Sequence, residues 1–136
     1  MKHTLRCYIL IPVAVTCLSW LTGCNKDSAN DIAVTGDIRL NARLLHHTWG
    51  VPYLDAYLKP NATSFPGYDT SNYEIHSKAD NDGNVVFDQL HPGNYYLYAK
   101  GYDLIWGDTV VGYTPIVVAE KALTNHQLDI IVYVSE

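Results

Sequence analysis

Beyond residue 24 the chain contains no cysteine: all three, Cys7, Cys17 and Cys24, fall in the first 24 of its 136 residues. That excludes a disulfide framework within the part that must fold, and with it the paired-cysteine spacing of a structural zinc site. Basic residues are also few. Seven Lys and Arg stand beyond residue 24 against all 14 Asp and Glu, a formal balance of −7, and they form no run. A polyanion needs a basic patch, so nucleic acid is excluded as a partner. Helical periodicity is missing too, since no window keeps an apolar 3.6-residue repeat for more than two turns. No internal repeat is visible. There is no Gly-x-Ser-x-Gly elbow, no glycine-rich phosphate loop, and no His-x-His or His-x-x-x-His pair. The usual sequence marks of an activated nucleophile, a nucleotide site and a zinc site are therefore absent. The reading is a non-enzyme with no cofactor and no metal.

What is present begins with a processing signal over residues 1–23. Lys2 and Arg6 open it and an apolar run follows over 7–21. That run is shorter than the about 20 residues a bilayer-spanning helix needs and has the form of a removed secretory signal. The sequence Leu21-Thr22-Gly23-Cys24 resembles the lipobox of bacterial lipoproteins. The resemblance implies cleavage before Cys24 and lipidation of its thiol and amine. Each buried lipid methylene contributes about 0.8 kcal/mol, and more than one acyl chain anchors stably, so the membrane is an expected partner through Cys24. Asn25, where inner-membrane lipoproteins often carry Asp, implies the outer membrane of a Gram-negative cell. Lys26-Asp27 is similar to the surface-export signal of some such lipoproteins, although a full match wants an acid at Ser28. The stretch 25–31 is polar and poor in apolar residues, so 24–33 read as the lipidated cysteine and a flexible tether, which leaves 34–136 for one folded domain.

Within that domain strict alternation marks the strands. Over 37–44, Ile38, Leu40, Ala42 and Leu44 face one way and Asp37, Arg39, Asn41 and Arg43 the other. A second strand is expected over 51–59, with Leu54, Ala56 and Leu58 inward, then others over 72–78, 85–90, 94–100, 109–118 and 127–134. Gly, Pro, Asn and Asp cluster between them. Seven short strands in about 100 residues predict an all-β, antiparallel, two-layer sandwich. Pro115 lies inside the sixth and cannot donate a ladder hydrogen bond, which places that strand at an edge or at a bulge. One long connection, 60–71, carries Phe65, Pro66, Gly67 and Tyr68 and is a candidate functional loop.

The stretch Ala79-Asp80-Asn81-Asp82-Gly83 invites comparison with a calcium loop. With Gly83 at the sixth position of such a loop, Lys78 would stand first and Gln89 twelfth, a cation and an amide where acids belong. Asn, Asp and Gly tolerate the positive φ of a tight turn, so a hairpin turn is the better reading. The residues beyond it, Gly83-x-Val85-x-Phe87-x-x-Leu90-x-Pro92-Gly93-x-Tyr95-x-Leu97-x-Ala99, resemble the signature of carboxypeptidase regulatory-like, prealbumin-like domains, a group that includes collagen-adhesin B-type repeats. The segment 50–59 is similar to that group's second strand. The resemblance implies a seven-stranded sandwich acting as spacer, adhesin segment or accessory module. It does not imply catalysis, because the hydroxyisourate hydrolases of the same fold end in Tyr-Arg-Gly-Ser and this chain ends Tyr133-Val134-Ser135-Glu136. Nor does it imply an internal isopeptide bond, because Arg39 and Arg43 occupy the first strand where a lysine is required.

Candidate recognition residues follow from topology. Strands that each cross the sandwich once bring the first, third and fifth loops, 46–50, 79–83 and 101–108, to one end. That end would gather Trp49, Trp106, Tyr102, Asp80, Asp82, Asp103 and Asp108, rings that stack and carboxylates that accept hydroxyls. On a strand the neighbours His46 and His47 would point to opposite faces and share no metal. Tyr96 and Tyr98, out of phase with Tyr95 and Leu97, would stand on a solvated sheet face, as cross-strand packing or as a ligand platform. The expected function is that of a surface lipoprotein serving as a non-enzymatic binding or structural module, its partner a protein or a glycan. The alternative is a carbohydrate-binding accessory protein using the aromatic tip. A hydrolase would require a cleft in which two titratable groups approach within hydrogen-bond reach.

Overall fold

The computed structural model describes residues 36–119, 123 and 125–136. The signal, lipidation and tether readings, Cys24 included, lie outside the described residues. Among the described residues no helix is long and apolar enough to cross a membrane.

Among the described residues eight strands form: β1 (Ile38–His46), β2 (Trp49–Gly50), β3 (Asp55–Pro60), β4 (Ile75–Lys78), β5 (Asn84–Leu90), β6 (Gly93–Asp103), β7 (Asp108–Val118) and β8 (Gln127–Val134), with one 3₁₀ turn at Thr70–Asn72. In one sheet β1 pairs with β5 and, at its far end, with β2, both antiparallel, while β8 pairs with β1 in parallel. The other sheet is antiparallel throughout in the order β4-β3-β6-β7. The chain is thus the all-β two-layer sandwich its alternation predicts, and β7 with its Pro115 is an edge strand.

Three local details differ from expectation. The β1–β8 pair is parallel because the chain reaches β8 from β7, in the opposite layer, and no hairpin constrains its direction. The expected strand over 51–59 begins only at Asp55, since Tyr53 at φ 62 turns the chain from one sheet to the other. The turn at 79–83 is a turn but not a hairpin: β4 pairs with β3 and β5 with β1, so it arches between the layers.

The inner faces supply the core. Ile38, Leu40, Ala42 and Leu44 of β1 meet Leu58, Leu97 and Tyr95 from the other layer, all with almost no exposure. Each such large side chain contributes roughly 1.5–3 kcal/mol by leaving water. Between Phe87 and Leu90 the inward phase slips by one residue, and Gln89 there has φ 60. This is a β-bulge opposite the shift between Ile38 and Leu40. Just beyond it the Tyr95 hydroxyl donates to the His91 carbonyl at 2.9 Å and accepts from the His91 amide at 3.2 Å, locking the corner into β6.

Both faces of β6 are covered over Tyr95–Ala99. Tyr96 and Tyr98 therefore do not stand on a solvated face. The connection 61–74 folds over them: Phe65 stacks on Tyr113 at 4.6 Å, Tyr68 meets Tyr98 edge-on at 6.0 Å, and Tyr73 stacks on Tyr98 at 5.7 Å. The Tyr73 hydroxyl donates to the Gly67 carbonyl at 2.9 Å and closes the cover. Burial pushes the Tyr73 hydroxyl up to about 12, with the neighbouring Tyr98 and Tyr96 hydroxyls adding to it. The long loop acts as a second small aromatic core.

Candidate functional site at the loop end

At the end of β1 the chain turns through His47 and Thr48 into β2, pairing His46 with Trp49. His47 takes φ 56, the left-handed φ that a two-residue hairpin turn needs at its first central position. The expectation that the adjacent histidines point to opposite faces therefore fails. The alternation ends at His46, and the two rings stack with centroids 4.5 Å apart and planes 22° from parallel.

Asp103, at the end of β6, meets His46 here. The His46 Nδ1 lies 2.9 Å from the Asp103 Oδ2, with the residues 3% and 1% exposed. The other oxygen, Oδ1, accepts from the amides of Ile105 at 2.8 Å and Trp106 at 3.3 Å. Burial alone pushes the Asp103 carboxyl up. The His46 ring and the two amides outweigh that effect and hold it below the ordinary carboxylate range. The Gly107 amide donates to the Asp103 carbonyl, and the Tyr102 hydroxyl donates to the Gly107 carbonyl, both at 2.8 Å.

This bonding makes the β6–β7 turn rigid and drives its apolar residues outward. Leu104 is 70% exposed, Ile105 63% and Trp106 53%. The Trp106 ring lies 5.0 Å from His47 and 6.2 Å from His46. Trp49, 63% exposed, is the cross-strand partner of the same His46. Neither tryptophan plugs the core.

The third loop packs against the first. A Cβ at Gly50 would lie 2.0 Å from the Asp82 carbonyl oxygen, so only glycine lets the two backbones come this close. The Tyr53 hydroxyl donates to the Asn81 side chain across the same seam. Asp80 is occupied by its own turn: Oδ1 accepts from the amides of Asp82 and Asn84, and Oδ2 from the Asn84 side chain. The Asn84 amide and side chain, with smaller help from the Asp82 and Gly83 amides, hold its carboxyl low.

The seven residues named from sequence thus lie on loops of one end, but in unlike roles. Trp49, Trp106, Tyr102, Asp82 and Asp108 are exposed, whereas Asp103 is buried and Asp80 ties its turn. His46, His47, Leu104 and Ile105 lie on the same loops but were not named as candidates, and Glu136, which belongs to the same end, was missed. Leu104 and Ile105 carried a signal, an apolar pair where a hairpin turn is normally polar. Glu136 arrives because β8 runs parallel to β1, setting Val134 beside His46, and the Val111–Ser135 bridge fixes the next residue.

The buried His46–Asp103 pair meets half of the hydrolase criterion, two titratable groups in hydrogen-bond reach. The other half is a cleft, and the His46 ring is instead nearly buried, stacked on His47 and met edge-on by Trp106 at 6.2 Å. Concave surface lies elsewhere, as in a hollow of about 700 Å³ bordered by Asn41, Arg43, Val86, Asp129 and Ile131 on the β5-β1-β8 sheet.

No family model matches the sequence. No curated protein matches it either. Solved structures resemble it in fold. The pilus 2b backbone protein of group B streptococcus is 16% identical, aligned over 72% of this chain and 40% of its own, with a TM-score of 0.52. The major pilin subunit of Bacillus cereus is 10% identical over 76% of this chain and 30% of its own, with a TM-score of 0.49. A Pseudomonas aeruginosa protein described as a candidate carbohydrate binder is 13% identical over 73% of this chain and 89% of its own, with a TM-score of 0.48. The chain therefore spans well under half the length of the two pilins.

Proposed function

We propose that the chain is a non-enzymatic binding module of the bacterial surface, a prealbumin-like domain of the carboxypeptidase regulatory-like kind held to the outer membrane by lipid on Cys24. The observation that carries this reading is the Leu104-Ile105-Trp106 turn, pinned from beneath by Asp103 and left open to solvent. Exposed apolar side chains on a rigid support mark an interaction surface, because ordering them for a partner costs little entropy. Aliphatic Leu104 and Ile105 beside Trp106 suit an apolar pocket on a protein. The fold it shares with a pilus backbone protein accords with a structural or adhesive role.

A glycan is the second reading, favoured by Trp49 and Tyr102, whose exposed rings offer faces for sugars. One set of variants separates the two. Trp49→Ala with intact protein binding and lost glycan-array binding supports the glycan. Leu104→Ser with Ile105→Ser abolishing adhesion while the array stays silent supports the protein. Adhesion that survives both sets overturns the tip as the binding surface. Protease shaving of intact cells tests the display: protection of the domain on unbroken cells overturns surface exposure, and retention of the protein in the aqueous phase after detergent partition overturns the lipid anchor.

A further inference from the structure

We infer that His46, His47 and Glu136 form a binding site for one divalent first-row transition-metal ion of the zinc class, with Asp103 as the residue that orients His46. The site is separate from the exposed apolar turn and does not rest on that turn having a partner. One ligand atom from each of the three residues lies within 4.8 Å of the other two. In a tetrahedral site with bonds of about 2.0 Å the ligand atoms stand about 3.3 Å apart. Rotation of His47 and Glu136, both exposed, covers the difference.

Three features argue for a built site. His46 is buried and already oriented, its Nδ1 held at 2.9 Å by the Asp103 carboxylate. A carboxylate that accepts Nδ1–H leaves the Nε2 lone pair as the ligating one, which is the carboxylate–histidine–metal arrangement of protein metal sites. His47 holds a left-handed φ of 56 that a non-glycine residue adopts at a cost, and this brings its ring to the His46 side. The parallel β1–β8 register, closed by the Val111–Ser135 bridge, delivers Glu136 from 89 positions away in sequence to the pair at 46 and 47.

The donor set names the ion. Two imidazole nitrogens and one carboxylate oxygen suit zinc, nickel, copper or iron, whereas calcium and magnesium take sets made of oxygen. Three protein ligands leave a fourth position for water or for a group brought by a partner.

The test uses the full chain, stripped with chelator and with its three cysteines alkylated so that thiolates do not compete. Calorimetric titration with zinc and the visible spectrum with cobalt are expected to report one ion per chain. His47→Asn keeps a residue that tolerates positive φ while removing the ligand, and Glu136→Gln removes the carboxylate. Each is expected to weaken zinc binding by about tenfold or more. Asp103→Asn is expected to weaken it by about 10- to 100-fold, and metal-free melting curves of every variant show that it is folded. Absence of zinc binding, or an affinity unchanged in both His47→Asn and Glu136→Gln, overturns the site. Binding that responds to calcium and not to zinc overturns it as well.

Discussion

His46 and Asp103, 57 positions apart, meet at 2.9 Å with almost no solvent on either side chain. The contact ties the end of β1 to the end of β6, strands of opposite layers. Asp103→Ala should cost about 3 kcal/mol, because it leaves His46 buried without its partner and two turn amides without an acceptor. Urea unfolding of the purified chain measures it. A loss below 1 kcal/mol would show the pair to be structurally idle.

Trp49 and Leu104 behave unlike the His46–Asp103 pair. Both are largely exposed and neither joins the core, so Trp49→Ala and Leu104→Ser should change stability by no more than about 0.5 kcal/mol. Thermal melting with both variants beside the parent chain checks this. A large drop would mean that these side chains hold the fold together.

Alkali should unfold the domain through its second aromatic core. Tyr73 is raised to about 12 from 10.0, and burial raises Tyr98 and Tyr57 as well. A raised folded value means that the unfolded chain loses its proton first. The stabilisation is whole below pH 10 and is lost as pH rises through about 12. Tyrosinate absorbance followed with circular dichroism should show ionisation and unfolding together in that window, and Tyr73→Phe should move the transition to higher pH. A fold that stays intact while every one of its tyrosines, Tyr73 included, ionises near pH 10 would contradict the cover.

Gln89 sits at φ 60 in the β5 bulge. Gln89→Gly should stabilise or leave the domain unchanged, while Gln89→Val, β-branched at positive φ, should cost about 1–3 kcal/mol. Chemical denaturation of the two variants shows a loss for Gln89→Val alone if the bulge is native.

The strands were legible because their inner faces admit only apolar residues at every second position: Ile38 to Leu44 and Tyr95 to Ala99 announce themselves. Even the bulge is written as the double step from Phe87 to Leu90. Sheet partners are not written in this way. Nothing local distinguishes β4 joined to β5 by a hairpin from β4 and β5 in separate layers, and parallel pairing of β1 with β8 depends on contacts some 90 residues apart in sequence. The burial of Tyr96 and Tyr98 was hidden for the same reason, since a loop that covers a sheet face leaves that face's alternation unchanged. At the tip the period of two misled directly: it assigns His46 and His47 to opposite sides, and one left-handed residue cancels it.

β1 enters the fold at Ile38 and reaches the aromatic tip at His46, roughly 27 Å along its axis. It is flanked by β5 on one side and β8 on the other. A pull between the segment before Ile38 and a partner gripped at the tip would act lengthwise on this strand. The hydrogen bonds on both flanks would then be sheared together instead of being opened one after another, so the same pairing that carries Glu136 to the tip would also make the domain resist tension along the line from Ile38 to His46.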